Sequence, residues 1–520
     1  MSRPPSALYR PAPRELVLKD LAARSRARLD HLSDAALAEL LEDALYHERK
    51  RLQRSRDDES HEALDTLARA LVRGTRSDQM DAAMVLVRDW SDEVHGKFDP
   101  RTYRFATRLL PKALAGLLSG RPRSRRDLSP DRRLQVDGPL GLIRELCREG
   151  TVILAPTHVS NLDSPLIGLA LHLAGLPPFV YGAGLNLFSN PVMGFFLRRL
   201  GAYTVDRRKS AQLYKDVLKD YSVRSLVTGH HSLFFPGGTR ARSGAVEASV
   251  KKGLLGTGIA AWQEMLQAGR DKPDVFVVPL TLSFQLVLEA ATLIEDHLAE
   301  AGKQRYIIDD DEFAQPRRLA AFARRVLDLD ASVVARFGQP VDCLGNPVSA
   351  DPRERLEQAK ERRRYVCNRD GVVQLDPQRD RVYTDRLADT LVAEWPRGVT
   401  AMNTHVAAWV AWRMLEERLD SSDAFRVVRM PALSRRFSRA AYLQRLQAVV
   451  DRIQRDVQQG LYYADVARTA EQVLVQALDR FGCYHRSKAL AQHGDDLVVE
   501  DPKLCLFYRN RLAHLTLEAS

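Results

Sequence analysis

The sequence predicts an α/β fold, a central mixed sheet flanked by helices, with helical N- and C-terminal regions. Three observations carry that prediction. Short β-branched runs alternate with helical stretches only between about residues 151 and 345. The first 120 residues set apolar positions at helical spacing against a heavily charged opposite face. After about Gly345 the strand-like runs disappear and helical patterning returns. The 520 residues therefore divide into an N-terminal helical region (1–125), an α/β domain (126–345) and a C-terminal helical region (346–520), in keeping with a prior of roughly 150 residues per domain.

In order along the chain, HLSDAALAELLEDALYHERKRLQRSR (31–56) reads as an amphipathic helix, and TLARALVRGTR (66–76) and FATRLLPKALAGLLSG (105–120) continue the pattern. The Arg-, Pro- and Ser-dense stretch RPRSRRDLSPDRR (121–133) buries little and reads as a linker or basic edge. TVILAPT, PFVYGAG, AYTVDR, SLFFPG, VFVVPLTLSF and SVVARFGQP are the expected strands, with helices over 213–227 and 253–268. Pro279 interrupts the fifth of these runs, which implies a strand end, an edge or a bulge. No formally charged residue occurs from Ser164 to Leu185, long enough to span a bilayer. Gly175, Pro177 and Pro178 break that stretch and His172 sits inside it, so we read a buried helix followed by a buried strand.

Apolar residues at 45% and charged residues at 28% exclude a disordered or fibrous chain. The balance of 78 Lys+Arg against 67 Asp+Glu gives +11, which favours anionic partners: phosphorylated substrates, acidic lipid surfaces or nucleic acid. No groove-binding module or aromatic RNA platform accompanies the basic run, and nucleic acid is set aside. The five cysteines are scattered, forming neither a zinc-type pair nor a disulfide framework, and so fit a reducing compartment. The first residues lack the apolar core of a signal peptide.

The sharpest local feature is THVSNLDSP, directly after the strand-like TVILAP. Residues five apart diverge on a regular helix, but His158 and Asp163 can meet where a loop enters one. Ser164-Pro165 supplies a helix start, which puts Asp163 by the N-terminus, where negative charge is favoured. A carboxylate holding one imidazole nitrogen leaves the other free to accept a proton. Three segments add to this. RRLGAYTVDRRK (198–209) is a basic cluster at a strand end. FFPGGTRARSG (234–244) is a Gly-rich turn carrying Arg240 and Arg242, suited to an anion. VFVVPLTLSF is centred on Pro279.

That order resembles the glycerolipid acyltransferase superfamily over about Leu134 to Val341. Its first block, His–x4–Asp, is His158-Val-Ser-Asn-Leu-Asp163. The second, near Gly-x-x-Phe-Ile-x-Arg, is Gly201-Ala-Tyr-Thr-Val-Asp-Arg207. The third, Phe-Pro-Glu-Gly-Thr-Arg-Ser, is Phe235-Pro-Gly-Gly-Thr-Arg-Ala241, and the fourth centres on Pro279. GAGLNLFSNPVMGFFLRRLGAY (182–203), the ending Arg240-Ala-Arg-Ser-Gly244 and PRGVTAMNTHVAAWVAW (396–412) are similar to the large bacterial glycerol-3-phosphate acyltransferase and dihydroxyacetone-phosphate acyltransferase branch. Gly237 departs from the family, which has Glu there. The nearest acidic residue downstream is Glu247, ten positions on.

The resemblance implies an acyltransferase, with His158 as general base and Asp163 orienting it. Arg207, Gly237, Gly238, Arg240, Arg242 and Pro279 are the implied substrate-binding residues. It implies glycerol 3-phosphate as acceptor at its sn-1 hydroxyl and acyl-CoA or acyl-carrier-protein thioester as co-substrate, with no other cofactor, no metal and no nucleic acid. It further implies peripheral attachment to the lipid surface on the cytoplasmic side of a membrane. Dihydroxyacetone phosphate or lysophosphatidate as acceptor, and a catalytically weakened lipid-binding form, stay open as alternatives.

Overall fold

A computed structural model of the chain describes residues 13–53, 58–104, 134–185, 191–206, 208–301, 333–482, 485 and 487–517. The expected helix over 105–120, the basic stretch 121–133 and Arg207 lie outside these. Eight strands form the central sheet in the order β1 (Leu134–Asp137), β7 (Val333–Phe337), β6 (Val275–Phe284), β2 (Thr151–Pro156), β5 (Ser232–Leu233), β3 (Val180–Gly184) and β4 (Ala202–Val205), with β8 (Val341–Asp342) also on β6. From β6 to β4 every pairing is parallel, whereas β7 and β8 run antiparallel to β6. The expected mixed sheet is therefore present, with one direction dominant.

At the centre, β2 and β6 pair from Thr151↔Val275 to Pro156↔Leu280, and every residue of both strands is buried. A parallel strand covered on both faces reads as a continuous apolar run. Alternate side chains feed different cores. Val152 and Leu154 join one cluster with the C-terminal helices, while Ile153 and Ala155 join another containing Trp262 and Trp395.

Pro279 is a correction. It lies inside this ten-residue central strand, opposite Ala155, and is neither an end nor an edge. Its carbonyl accepts Gly338 N–H at 2.8 Å, so the side of β6 that a residue-279 N–H would face is the gap between Phe337 of β7 and Val341 of β8. No ladder bond is lost there, which is why proline is tolerated.

The stretch from Ser164 to Leu185 is helix Asp163–Leu173 followed by β3, in the expected order, although only Val180 and Ala183 of that strand are fully buried. No helix among the described residues is long and apolar enough to cross a membrane. Before the sheet, helices Arg14–Asp30, Asp34–Leu52, Asp58–Arg73 and Arg76–Val94 share a core with Tyr203 and with Leu213, Tyr214 and Val217 of helix Gln212–Val227.

The C-terminal region is also a correction, because strands do not stop at Gly345. β9 (Thr400–Met402) pairs with β11 (Tyr463–Asp465), and β10 (Arg436–Ser438), β13 (Asp496–Val498) and β12 (Ala491–His493) form a three-stranded sheet. Three residues are too few to show alternation, so these strands left no periodic signal. Nor is this region an appendage. Arg355 bonds Glu145 and Glu149, and Arg362 bonds Asp274 and Asp342, from helix Pro352–Arg364. The Trp395 indole, fully buried, donates to the Ala155 carbonyl at 3.0 Å, directly beneath the end of β2.

Candidate active site

Parallel strands deliver their following loops to the same sheet edge, and ligands of such sheets bind outside those carboxyl ends. β5, β2 and β6 are neighbours, so the loops after them converge. The loop after β2 carries His158, the segment after β5 carries Phe235 to Glu247, and the turn after β6 carries Glu289.

His158 and Asp163 meet as the spacing implied. His158 Nδ1 lies 2.7 Å from Asp163 Oδ2, and the same oxygen accepts Val159 N–H at 2.6 Å and Ser160 N–H at 3.0 Å. Asp163 opens its helix and is fully buried, so the helix N-terminus adds to the stabilisation of its charge. With Nδ1 donating to the carboxylate, Nε2 is the acceptor, and the His158 side chain keeps 15% exposure. The Phe235 ring stacks on the imidazole with centroids 4.2 Å apart, fixing its plane.

The main chain of His158 is held from both sides by the segment after β5. Its N–H donates to Glu247 Oε1 at 2.5 Å, and its carbonyl accepts Ala241 N–H at 2.7 Å. The glycine pair forms a turn in which Gly238 N–H donates to the Phe235 carbonyl at 3.0 Å and Gly238 adopts φ of 76°. That is the geometry glycine permits. The Gly238 amide is thus committed to the turn, and the expectation that it serves an anion is corrected. The Lys251 side chain packs over Gly238, with Nζ 3.0 Å from where a Cβ would be.

Arg240 reaches the site edge, 3.7 Å from Glu289 Oε1. Glu289 is 3% exposed, accepts Ser160 Oγ–H and Asn161 N–H, both at 3.0 Å, and so ties Arg240 to the His158 loop. Burial pushes the Glu289 carboxyl above its ordinary 4.5, with Arg240 opposing. A carboxyl raised on folding holds its proton more tightly in the native state, so stability falls as pH rises from about 4.5 through the raised value. In Glu289→Gln the amide oxygen accepts Asn161 N–H and its NH2 faces Ser160. We expect the melting temperature of this variant, relative to wild type, to climb across that pH window, read by calorimetry; a flat difference contradicts it.

Arg242 pairs with the exposed Glu300 at 3.0 Å and stands farther out. Of the basic residues after β4 that the structure describes, Arg208 bonds Asp206 and Lys209 bonds Glu93. Pro279, expected among the substrate-binding residues, is buried within the central strand opposite Ala155. Among the described residues no three His, Cys, Asp or Glu side chains group to hold a metal.

Four participants escaped sequence reasoning. Phe235 stands inside the third block without a role of its own there, Glu289 lies shortly after VFVVPLTLSF, and Glu247 is noted only by proximity. Arg511 gave no signal. It is 4% exposed, donates to the Leu282 carbonyl at 2.5 Å, and its charge is felt by Glu247 and Asp163. Helix Pro502–Asn510 leads to it and seals the segment after β5. Asn510 donates to the Ser243 carbonyl at 2.9 Å, and a Cβ on Gly244 would fall 2.1 Å from the Phe507 carbonyl oxygen.

Comparison with known proteins agrees with the family resemblance. Residues 140–283 match the family model described as Acyltransferase. The chain is similar to the glycerol-3-phosphate acyltransferase of Baumannia cicadellinicola subsp. Homalodisca coagulata, 30% identical over 205 residues, covering 39% of this chain and 23% of that protein. Its counterpart in Pseudoalteromonas translucida (strain TAC 125) is 33% identical over 156 residues, covering 30% and 18%. That of Histophilus somni (strain 129Pt) is 32% identical over 165 residues, covering 31% and 19%. The alignments thus span about a fifth of the length of these curated relatives. The crystal structure of the 1-acyl-sn-glycerophosphate acyltransferase PlsC from Thermotoga maritima aligns with 50% of this chain and 89% of that chain at 16% identity, with a TM-score of 0.25, too low to bear on the fold.

Proposed function

With the Acyltransferase match over residues 140–283 as premise, we propose that the chain transfers a fatty acyl group from a thioester to the sn-1 hydroxyl of glycerol 3-phosphate. The observation that carries this is the His158–Asp163 pair at 2.7 Å, with Nε2 open at the carboxyl ends of parallel strands and Arg240 alongside. Nε2 takes the hydroxyl proton as the oxygen attacks the thioester carbonyl. A C–O bond forms, the C–S bond breaks, and the imidazolium returns the proton to the departing thiolate. Asp163 holds the ring tautomer and stabilises the imidazolium. Arg240, oriented by Glu289, binds the acceptor phosphate, with Arg242 and Lys251 as outer cations. Anchoring a non-reacting phosphate places the hydroxyl by the carbonyl and lowers the entropic barrier. The donor is an acyl-CoA or acyl-carrier-protein thioester, and the enzyme works at the cytoplasmic face of a lipid surface to which it attaches peripherally.

The test is product formation from labelled glycerol 3-phosphate with palmitoyl-CoA and with palmitoyl-acyl carrier protein, run with anionic vesicles that are then sedimented. Labelled lysophosphatidate and protein in the vesicle pellet are expected. Dihydroxyacetone phosphate and lysophosphatidate serve as rival acceptors, and a higher kcat/KM with either would replace glycerol 3-phosphate in this reading. Folded protein inactive on all three would leave a lipid-binding role.

A further inference from the structure

Gly237 stands where the resembling family carries Glu, and the volume beside it is already filled. A Cβ built on Gly237 would lie 3.1 Å from Glu247 Cγ and 3.6 Å from Glu247 Oε1. Gly237 is not among the positive-φ glycines, so its backbone would accept a side chain; the obstacle is Glu247. The same Glu247 accepts the His158 amide through Oε1, while its Oε2 is out of solvent with no hydrogen-bond partner.

Resting on the acyltransferase reading, we propose that Glu247 is the positioning residue for His158, supplying from ten residues downstream a carboxylate into the space that Gly237 leaves open. Gly237 and Glu247 are then a coupled pair. One residue gives up its side chain so that the other can reach the His158 main chain. Glu247 acts through the backbone: its oxygen satisfies the amide at the point where β2 gives way to the loop, while Ala241 holds the adjoining carbonyl. A buried N–H left without its acceptor is costly, so the loop would move to recover one. Asp163 fixes the ring from the other end, and only both anchors together aim Nε2. The charge of Arg511 beside Glu247 and the burial of that carboxylate, which raises its pKa, belong to the same arrangement.

The test compares Glu247→Ala, Glu247→Gln, Gly237→Glu and the double variant Gly237→Glu/Glu247→Ala in the full chain. The readouts are kcat, KM for glycerol 3-phosphate, melting temperature, and amide hydrogen exchange in the peptide covering 157–163. Misplacing a reacting group by about 1 Å costs roughly 10²-fold, so Glu247→Ala should lose about that in kcat with KM little changed, and exchange at 157–163 should quicken. Glu247→Gln keeps an acceptor oxygen and should stay within about tenfold of wild type. Gly237→Glu alone crowds two carboxylates together and should lose activity. The double variant should recover at least about tenfold over Glu247→Ala, the signature of coupled neighbours.

Glu247→Ala that keeps wild-type kcat and exchange overturns the proposal, as does a double variant no better than either single one. Should Glu247→Ala melt below the assay temperature, the double variant against Gly237→Glu decides in the same way. Wild type inactive on every acceptor would sink the acyltransferase reading alone, and the exchange comparison would still decide whether Glu247 holds the His158 loop.

Discussion

His158→Ala is expected to cut acyl transfer by about 10²–10⁴-fold, the usual contribution of a general base, with the melting temperature nearly unchanged. The imidazole keeps some exposure, and its removal leaves the main-chain bonds to Glu247 and Ala241 and the backbone amides on Asp163 intact. Asp163→Ala should lose as much activity and, unlike His158→Ala, stability as well. Asp163 Oδ2 serves two buried backbone amides besides the imidazole, and stranding them should cost about 1–3 kcal/mol. Asp163→Asn separates the two roles: its amide oxygen still accepts backbone N–H groups, while the negative charge that stabilises the imidazolium is gone. Single-turnover transfer to labelled glycerol 3-phosphate and urea denaturation on the same preparations read both effects. His158→Ala at the wild-type rate would remove His158 from the chemistry. A stable but inactive Asp163→Ala would mean that the loop does not depend on this carboxylate.

What the sequence makes legible follows from how local each determinant is. The His158–Asp163 pair lies within six consecutive residues, and a strand followed by Pro165 in a helix start is enough to show that they can meet, as they do in the fold. β2 and β6 are long apolar runs with both faces covered, so composition alone marks them. The role of Pro279 is not local. Whether a missing N–H matters depends on what lies across from it, and here β7 and β8 leave a gap at that point. The Gly237–Glu247 exchange is hidden for a related reason. A ten-residue loop returns to its start in space, and only the fold reveals that Glu247 Oε1 comes within 3.6 Å of where a Cβ on Gly237 would be. The C-terminal strands are too short to carry a period, and Arg511 lies more than 200 residues in sequence from the Leu282 carbonyl it bonds.

Arg511→Met is expected to be the most destabilising single change among those considered. The guanidinium is buried, and its positive charge offsets two carboxylates, Glu247 and Asp163. Removing it takes a positive charge from the neighbourhood of both and leaves the Leu282 carbonyl without this charged donor, which should cost about 1.5–3 kcal/mol. Arg511→Lys restores charge without the planar fork that reaches the Leu282 carbonyl, so it should recover only part. Arg381→Met, on an exposed helix face, should change stability by less than about 0.5 kcal/mol and serves as control. The pH dependence carries the electrostatic part of the claim. Burial raises the Glu247 carboxyl above its ordinary value and Arg511 holds it down, so Arg511→Met raises it further. A raised carboxyl loses stability as pH climbs through its native value. The deficit of Arg511→Met should therefore be smaller near pH 5, where Glu247 more readily keeps a proton, and larger near pH 8, well above the usual carboxylate range of about 4. Urea midpoints at the two pH values measure it. A deficit equal at both would assign the loss to packing and to the Leu282 bond, leaving the C-terminal helix as a mechanical brace on the site with no part in its electrostatics.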